Sequence, residues 1–147
     1  MKDFVDLRIV HHTTTCFFCR TSDCYGDGKF CALNHELRST AQGKDIINQQ
    51  LRERVVFDLY PDKWWSYMDK FDLECDDMLS AAKCSEKLFS QLSIDADKVR
   101  VELQKSMDSQ QVLIENKELL DGGGITGYPA VSINNMRIPG ALKVLCC

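Results

Sequence analysis

Apolar and polar positions alternate at the start of the chain and then change period. In "FVDLRIV" the apolar residues Phe4/Val5, Leu7 and Ile9 are separated by charged ones, a period of two that predicts a half-buried strand within residues 1–12. From Thr13 to Thr40 the pattern fails, and Asp23, Gly26, Asp27, Gly28 and four cysteines predict a loop held by bridges, with room for short helical turns. Helical spacing follows. Ile47, Leu51, Val55 and Leu59 recur every four residues before Pro61, which predicts a helix that stops there. "DKWWSYMDKFDLEC" gathers Trp64, Tyr67, Met68, Phe71 and Cys75 on one helical face, and "MLSAAKCSEKLFSQL" gathers Leu79, Ala82, Leu88, Phe89 and Leu92. "DADKVRVELQKSMDS" repeats the spacing with Val99, Leu103 and Met107, and opens with acidic residues that suit a helix N-terminus. "ENKELLDGGG" reads as a solvated linker with a flexible tip. Ala130/Val131, Ile133 and Met136 then alternate around Asn134-Asn135, which predicts a tight antiparallel hairpin because Asn tolerates positive φ. "ALKVLCC" closes the chain as a short helix or tail. The expected organisation is a strand at 1–12, a Cys-rich loop at 13–40, a helical insertion at 43–120, and a hairpin with closing helix at 128–147.

Composition narrows the class. A chain of 147 residues suits one core, and a net charge of -4 with Lys and Arg scattered among Asp and Glu argues against a nucleic-acid partner. No apolar run reaches the roughly eighteen residues that span a bilayer, and the opening residues are too charged for a secretory leader. Any membrane attachment is therefore expected through a span outside this chain. Cysteines are the departure from an ordinary composition. Eight of them, at 16, 19, 24, 31, 75, 84, 146 and 147, suggest a disulfide framework and hence an oxidising compartment. Zinc is the competing reading of Cys16, Cys19 and Cys24 with His11, His12 and His35 nearby, but structural zinc sites commonly use two knuckle pairs and only one Cys-x-x-Cys exists. Neither a metal nor a cofactor is called for.

The order of strand, stapled loop, helical block and Pro-led hairpin fits an α/β, thioredoxin-like sheet with a large helical, disulfide-stapled insertion. One piece is missing from that plan: the first strand-helix unit, where a redox cysteine pair would sit on a helix N-terminus. An apolar strand such as "AVSI" must satisfy its backbone groups in a sheet, so it is expected to pair with "FVDLRIV". The expectation is accordingly of a section of a longer protein, its sheet completed by another part and the isolated piece poorly stable.

A series of segments carries a resemblance. "YGDGKFCALNHE", "GKDIINQQLRE", "WWSYMDKF", Cys75, "AAKCSEKLFSQLSIDADKV" and "YPAVSINNMRIPGALKVLC" resemble, in that order, the central lumenal region of the vacuolar sorting receptors. The family pattern there is a Gly-Arg-Tyr-Cys-Ala box, a Gly-Lys-Asp-Val helix, a Trp-Trp helix, a Cys-x8-Cys pair, a Ser-Leu-Gly-Val-Asp segment and a Pro-Thr-Leu-Val-Val-Asn-Asn hairpin. Each motif alone is weak and the ordered series is specific. The resemblance implies a lumenal section of a type I membrane receptor that binds vacuolar or lytic cargo and releases it in an acidic compartment. It implies protein cargo, or other sections of the same receptor, as partners. Val55 and a position near Glu102 stand where the family usually has cysteines, as if one bridge had been lost as a unit, and the closer spacing of the first two cysteines leaves the loop's connectivity open.

Each candidate site has a plainer alternative. Cys16 and Cys19 follow a strand as a redox pair would, but no apolar-periodic helix follows them to lower a thiol pKa, so structural bridging is preferred. Cys24 and Cys31 belong to the same oxidised cluster. Cys75 and Cys84 stand at the end of one helix and inside the next, where a bridge would pin a helical hairpin. Neighbouring Cys146 and Cys147 cannot readily bond to each other, so Cys146 is expected to pair elsewhere. Pro129 is a cis-proline candidate that shapes the turn into the strand. His11 and His12, as neighbours on a strand, would point to opposite faces. Of Trp64 and Trp65 at least one is expected in the core. The reading is a non-catalytic receptor section. Its rivals are a thiol-disulfide oxidoreductase using Cys16, Cys19 and Pro129, and a structural component of a lumenal or extracellular assembly.

Overall fold

A computed structural model describes residues 7–32 and 40–122, together with the backbone of 131–133 and 136–138. The elements run β1 (Cys24–Tyr25), β2 (Phe30–Cys31), α1 (Gly43–Leu59), α2 (Trp64–Glu74), α3 (Ala81–Leu92), α4 (Ala96–Ser109), α5 (Gln111–Gly122), β3 (Val131–Ile133) and β4 (Met136–Ile138). The described residues are mostly helical, with two small two-stranded antiparallel sheets.

Helix α1 is the centre of the block. Its Ile47, Leu51, Val55 and Val56 are buried, and Leu59 packs at the margin. At its start the Gln42 amide donates to the Asp45 carboxylate (2.8 Å), which satisfies one of the donors a helix N-terminus leaves open. Helix α2 lays Trp64, Tyr67 and Phe71 against it. Trp64 Nε1 donates to the Glu53 carbonyl (3.1 Å), so the indole is buried with its polar atom paired. Helix α3 ends at Ser93 in the left-handed region (φ 53°), where the Ile94 amide closes onto the Phe89 carbonyl at 2.9 Å. Asp95 then starts α4 by accepting from the Lys98 amide (3.0 Å), and α4 turns its Val99 and Leu103 inward.

Five expectations from the sequence are corrected. Residues 7–12 form no strand: Ile9 packs on the helical core, and its carbonyl accepts from Arg54 Nη1 of α1 (3.2 Å) instead of from a ladder partner. The single sheet joining the two ends is therefore absent among the described residues, where β3 pairs with β4 alone. Within the described part of the 13–40 loop there is a hairpin of β1 and β2, with an isolated bridge from Thr14 to Cys31, in place of helical turns. The expected linker is helix α5, which buries Leu113, Asn116 and Leu120 at three- and four-residue spacing. On α3 the inward face is Ala81, Ser85, Leu88 and Phe89, while Leu79 and Ala82 are exposed, so the expected face was turned by about one residue.

The closing hairpin has Val131 opposite Ile138, Ser132 opposite Arg137 and Ile133 opposite Met136, while the expected turn residues Asn134 and Asn135 lie outside the described residues. Tyr128, Pro129 with its cis form, His35, Cys146 and Cys147 lie outside the described residues.

Candidate functional site

The stapled loop brings four of the candidate cysteines together. Cys24 and Cys31 face each other across the β1–β2 register and are joined, with Cα atoms 4.1 Å apart. Cys16 is joined to Cys19, with Cα atoms 5.5 Å apart. The turn between β1 and β2 needs three consecutive residues at positive φ: Gly26 (59°), Asp27 (53°) and Gly28 (89°). Gly28 also has no room for a side chain, since a Cβ there would stand 2.6 Å from the Cys16 carbonyl oxygen. That carbonyl is close because the Cys16 amide donates to the Gly28 carbonyl (2.8 Å), which fixes one end of the Cys16–Cys19 ring to the hairpin.

The hairpin docks on the start of α1. Asp23 Oδ1 accepts from the Gly43 amide (2.9 Å), and the Lys44 amide donates to the Ser22 carbonyl (3.0 Å). Two donors of the helix N-terminus are thus satisfied by the loop itself. Gly43 must be glycine for this approach, because a Cβ would lie 2.0 Å from the Ala32 carbonyl oxygen. The Tyr25 hydroxyl donates to Asn48 Oδ1 (2.6 Å), Lys44 Nζ sits 5.1 Å above the Tyr25 ring, and Phe30 enters the core. The "YGDGKFCA" box and the "GKD" helix start are therefore one seam.

The two bridges of the loop differ in surroundings. Cys31 is 0% exposed and Cys24 7%, whereas Phe17 and Phe18, between Cys16 and Cys19, are 80% and 101% exposed. No helix follows Cys19 in the described residues up to Ala32, so nothing there supplies the N-terminal dipole that lowers a thiol pKa. A third bridge joins Cys75, at the end of α2, to Cys84 in α3 (Cα atoms 5.9 Å apart). The six cysteines of the described residues are thus all in disulfides, which removes their sulfurs as metal donors, and no group of three His, Cys, Asp or Glu among those residues could hold an ion.

Behind the loop lies a buried polar chain that the sequence did not announce. Gln49 Nε2 donates to Glu53 Oε1 (3.1 Å) and to the Tyr67 hydroxyl (3.0 Å), which in turn shares a 2.9 Å hydrogen bond with Ser85 Oγ. Gln49, Tyr67 and Ser85 are each 1% exposed or less. His11 approaches this chain, with Nε2 3.4 Å from Glu53 Oε2. Burial pushes the Glu53 carboxyl up to about 7, against the opposing pull of Gln49 and Arg52. Burial, with help from the Arg54 charge, takes His11 down to about 4. Between those two values the contact is consequently one of neutral imidazole with a carboxyl group that holds its proton. His11 and His12 part company, His11 half-buried and His12 on the surface, as do Trp64 in the core and Trp65 outside it. A shallow cleft of about 300 Å³ beside His12 is lined by Thr13, Thr14, Thr15, Lys117, Leu120 and Asp121; the Thr14 and Thr15 hydroxyls donate to backbone carbonyls and Lys117 pairs with Asp121.

The described residues thus form a disulfide-stapled hairpin seated on a helical block, with a second two-stranded sheet of β3 and β4. The chain belongs to the family of the vacuolar sorting receptor thioredoxin-like domain, whose family model matches residues 8–146. No curated protein matches the chain, and no solved structure matches it. Family membership and bridged cysteines together point to the lumen of the secretory pathway. Among the described residues no helix is long and apolar enough to cross a membrane.

Proposed function

We propose that this chain is a non-catalytic lumenal section of a vacuolar or lysosomal-type sorting receptor and that it supports cargo recognition. Its partners on this reading are protein cargo and other sections of the same receptor, and anchoring in the membrane comes from a span elsewhere in the full receptor. The observation that carries the reading is the seam between the hairpin and α1. Tyr25 and Gly43, from the two boxes that mark the receptor resemblance, serve with Asp23 to hold a loop on a helix N-terminus, and the Gly43 and Lys44 amides engaged in this way are not open to a thiolate. The test is binding of an immobilised vacuolar sorting peptide by the secreted receptor ectodomain with and without residues 8–146. Removal is expected to weaken binding at least about tenfold, the equivalent of 1.4 kcal/mol. Unchanged affinity would leave the section without a part in cargo recognition. In a parallel assay the chain is expected to show no insulin-reductase turnover; turnover abolished by Cys19→Ala would favour the oxidoreductase instead.

A further inference from the structure

The three bridges of the described residues do not stand in equivalent places. Cys24–Cys31 lies inside the seam, with sulfurs that no attacking thiolate can reach while the hairpin is seated. Cys75–Cys84 is half-buried, as Cys16–Cys19 is, but Cys75 stands in the acidic stretch "DLECDD", with Asp72, Glu74, Asp76 and Asp77 as its chain neighbours. Lys70 and Lys87 pair with Glu74 there, and Lys83 is next to Cys84, so the remaining aspartates still repel an incoming anion. Cys16–Cys19 has the opposite setting. Arg20 follows it directly, and Lys29 is exposed on the β1–β2 turn whose Gly28 carbonyl accepts from the Cys16 amide, against Asp27 on the same turn, while the Asp23 carboxylate is turned to the Gly43 amide. Positive surroundings favour both the approaching thiolate and the leaving one. Opening this ring uncovers no core side chain, because the two residues it encloses are 80% and 101% exposed.

Those two residues are Phe17 and Phe18. A pair of large aromatic side chains held outward on a covalently closed four-residue ring is a preformed apolar contact at low entropic cost. We propose that Cys16–Cys19 is a thiol-exchange site that accepts the unpaired cysteines of extended polypeptides, with Phe17 and Phe18 as the landing surface for apolar residues that flank such cysteines.

The exchange balances without a further reagent. A substrate thiolate attacks one sulfur of the bridge, the Cys16–Cys19 bond breaks, and the other sulfur leaves as a thiolate that takes up a proton. A second substrate thiolate then attacks its own sulfur in the mixed disulfide and releases the protein's second sulfur. Two electrons and two protons pass from the substrate dithiol to Cys16 and Cys19, and the substrate gains a disulfide. The site is an acceptor of electrons. As a dithiol it lacks the helix N-terminus that would hold one thiol as a ready thiolate nucleophile, so slow attack on disulfides, and hence the expected absence of insulin-reductase turnover, is compatible with this inference.

The experiment is differential alkylation of the oxidised full chain. The chain is incubated with increasing reduced glutathione, quenched in acid, alkylated and mapped by peptide mass. Cys16 and Cys19 are expected to label at glutathione concentrations at least tenfold below those that label Cys24, Cys31, Cys75 or Cys84. Opening of either other bridge first, or of all three together, overturns the proposal. The landing surface is tested by repeating the reaction with reduced, unfolded ribonuclease as the dithiol, on the chain and on Phe17→Ser/Phe18→Ser. The variant is expected to react about tenfold more slowly with the polypeptide and at an unchanged rate with glutathione. Equal slowing with both reductants, or none with either, removes the aromatic pair from the proposal.

Discussion

The helical block and the stapled loop reach order by different means. In the block, Ile47, Leu51, Tyr67, Leu88 and Val99 are each 1% exposed or less, and four helices close around them with one buried polar chain between α1, α2 and α3. In the segment from Thr13 to Ala32 the buried apolar residues are Cys24, Phe30 and Cys31, and shape comes from two bridges, a two-residue ladder and the contact with α1. Burial stabilises in proportion to area and is lost cooperatively, whereas a covalent bridge acts mainly on the unfolded chain and can be cut without melting what lies beside it. One domain therefore holds a part that unfolds and a part that can be unstapled.

The largest effect that would test this division is a cavity in the block. Leu88→Ala is expected to cost about 4 kcal/mol, read as a fall in the urea midpoint at unchanged slope. A cost below about 1 kcal/mol would mean that the helices are not packed as a unit.

Next in size is the pH response of the seam between His11 and Glu53. Glu53, raised to about 7 by burial, binds a proton in the folded state that the unfolded chain has shed, so alone it makes stability fall as pH rises from its ordinary value of 4.5 to 7. His11, lowered to about 4, lacks in the folded state a proton that the unfolded chain holds, so alone it makes stability rise as pH climbs from 4 to 6.5. Between 4.5 and 6.5 folded and unfolded forms each keep one proton on this pair, and the two slopes cancel. The native chain should thus show little pH dependence from this pair in that window. His11→Asn should expose the falling slope and Glu53→Gln the rising one, each with up to about 3 kcal/mol across its range. Chemical denaturation at several pH values reads this directly, and parallel curves for the two variants would show that the groups are not buried together.

Removing the inner bridge with Cys24→Ala/Cys31→Ala should cost about 2.5 kcal/mol, as expected for a closed loop of this length. Helical circular dichroism should survive while the Gly43 amide loses its protection from hydrogen exchange, since Asp23 no longer stays in place. Loss of the helices as well would erase the distinction between the two regions. The smallest effect belongs to Phe17→Ser/Phe18→Ser, which should leave stability within about 0.5 kcal/mol because neither ring is covered.

Helices α1, α2 and α4 were legible because their apolar residues keep a spacing of three and four without interruption. Helix α5 was not, because the inward position between Leu113 and Leu120 is Asn116 and the charged residues around it read as linker. On α3 the inward polar residue is Ser85, whose partner Tyr67 belongs to another helix, and a single-helix pattern cannot show that pairing. The opening alternation misled for a related reason. A period of two states that alternate side chains are covered, and Ile9 is covered by a helix, not by a sheet. Of the loop, the cysteines and glycines were visible as a cluster, but the docking of Asp23 on Gly43 depends on a contact across 20 residues that no local pattern encodes. The pairing of His11 with Glu53 spans a longer stretch still and has no sequence signature.

The bridges share one property with a bearing on synthesis. Their partners are separated by 3, 7 and 9 residues, so each closes within a stretch that leaves a translocation channel in about a second at ordinary rates of chain growth. The six cysteines of the described residues could combine among themselves in about fifteen ways, yet a chain oxidised as it emerges lets each of these meet its partner before any distant one is present. Correct connectivity is then written into the timetable of emergence, and the domain can be delivered already stapled, its loop waiting for the α1 N-terminus on which it will sit.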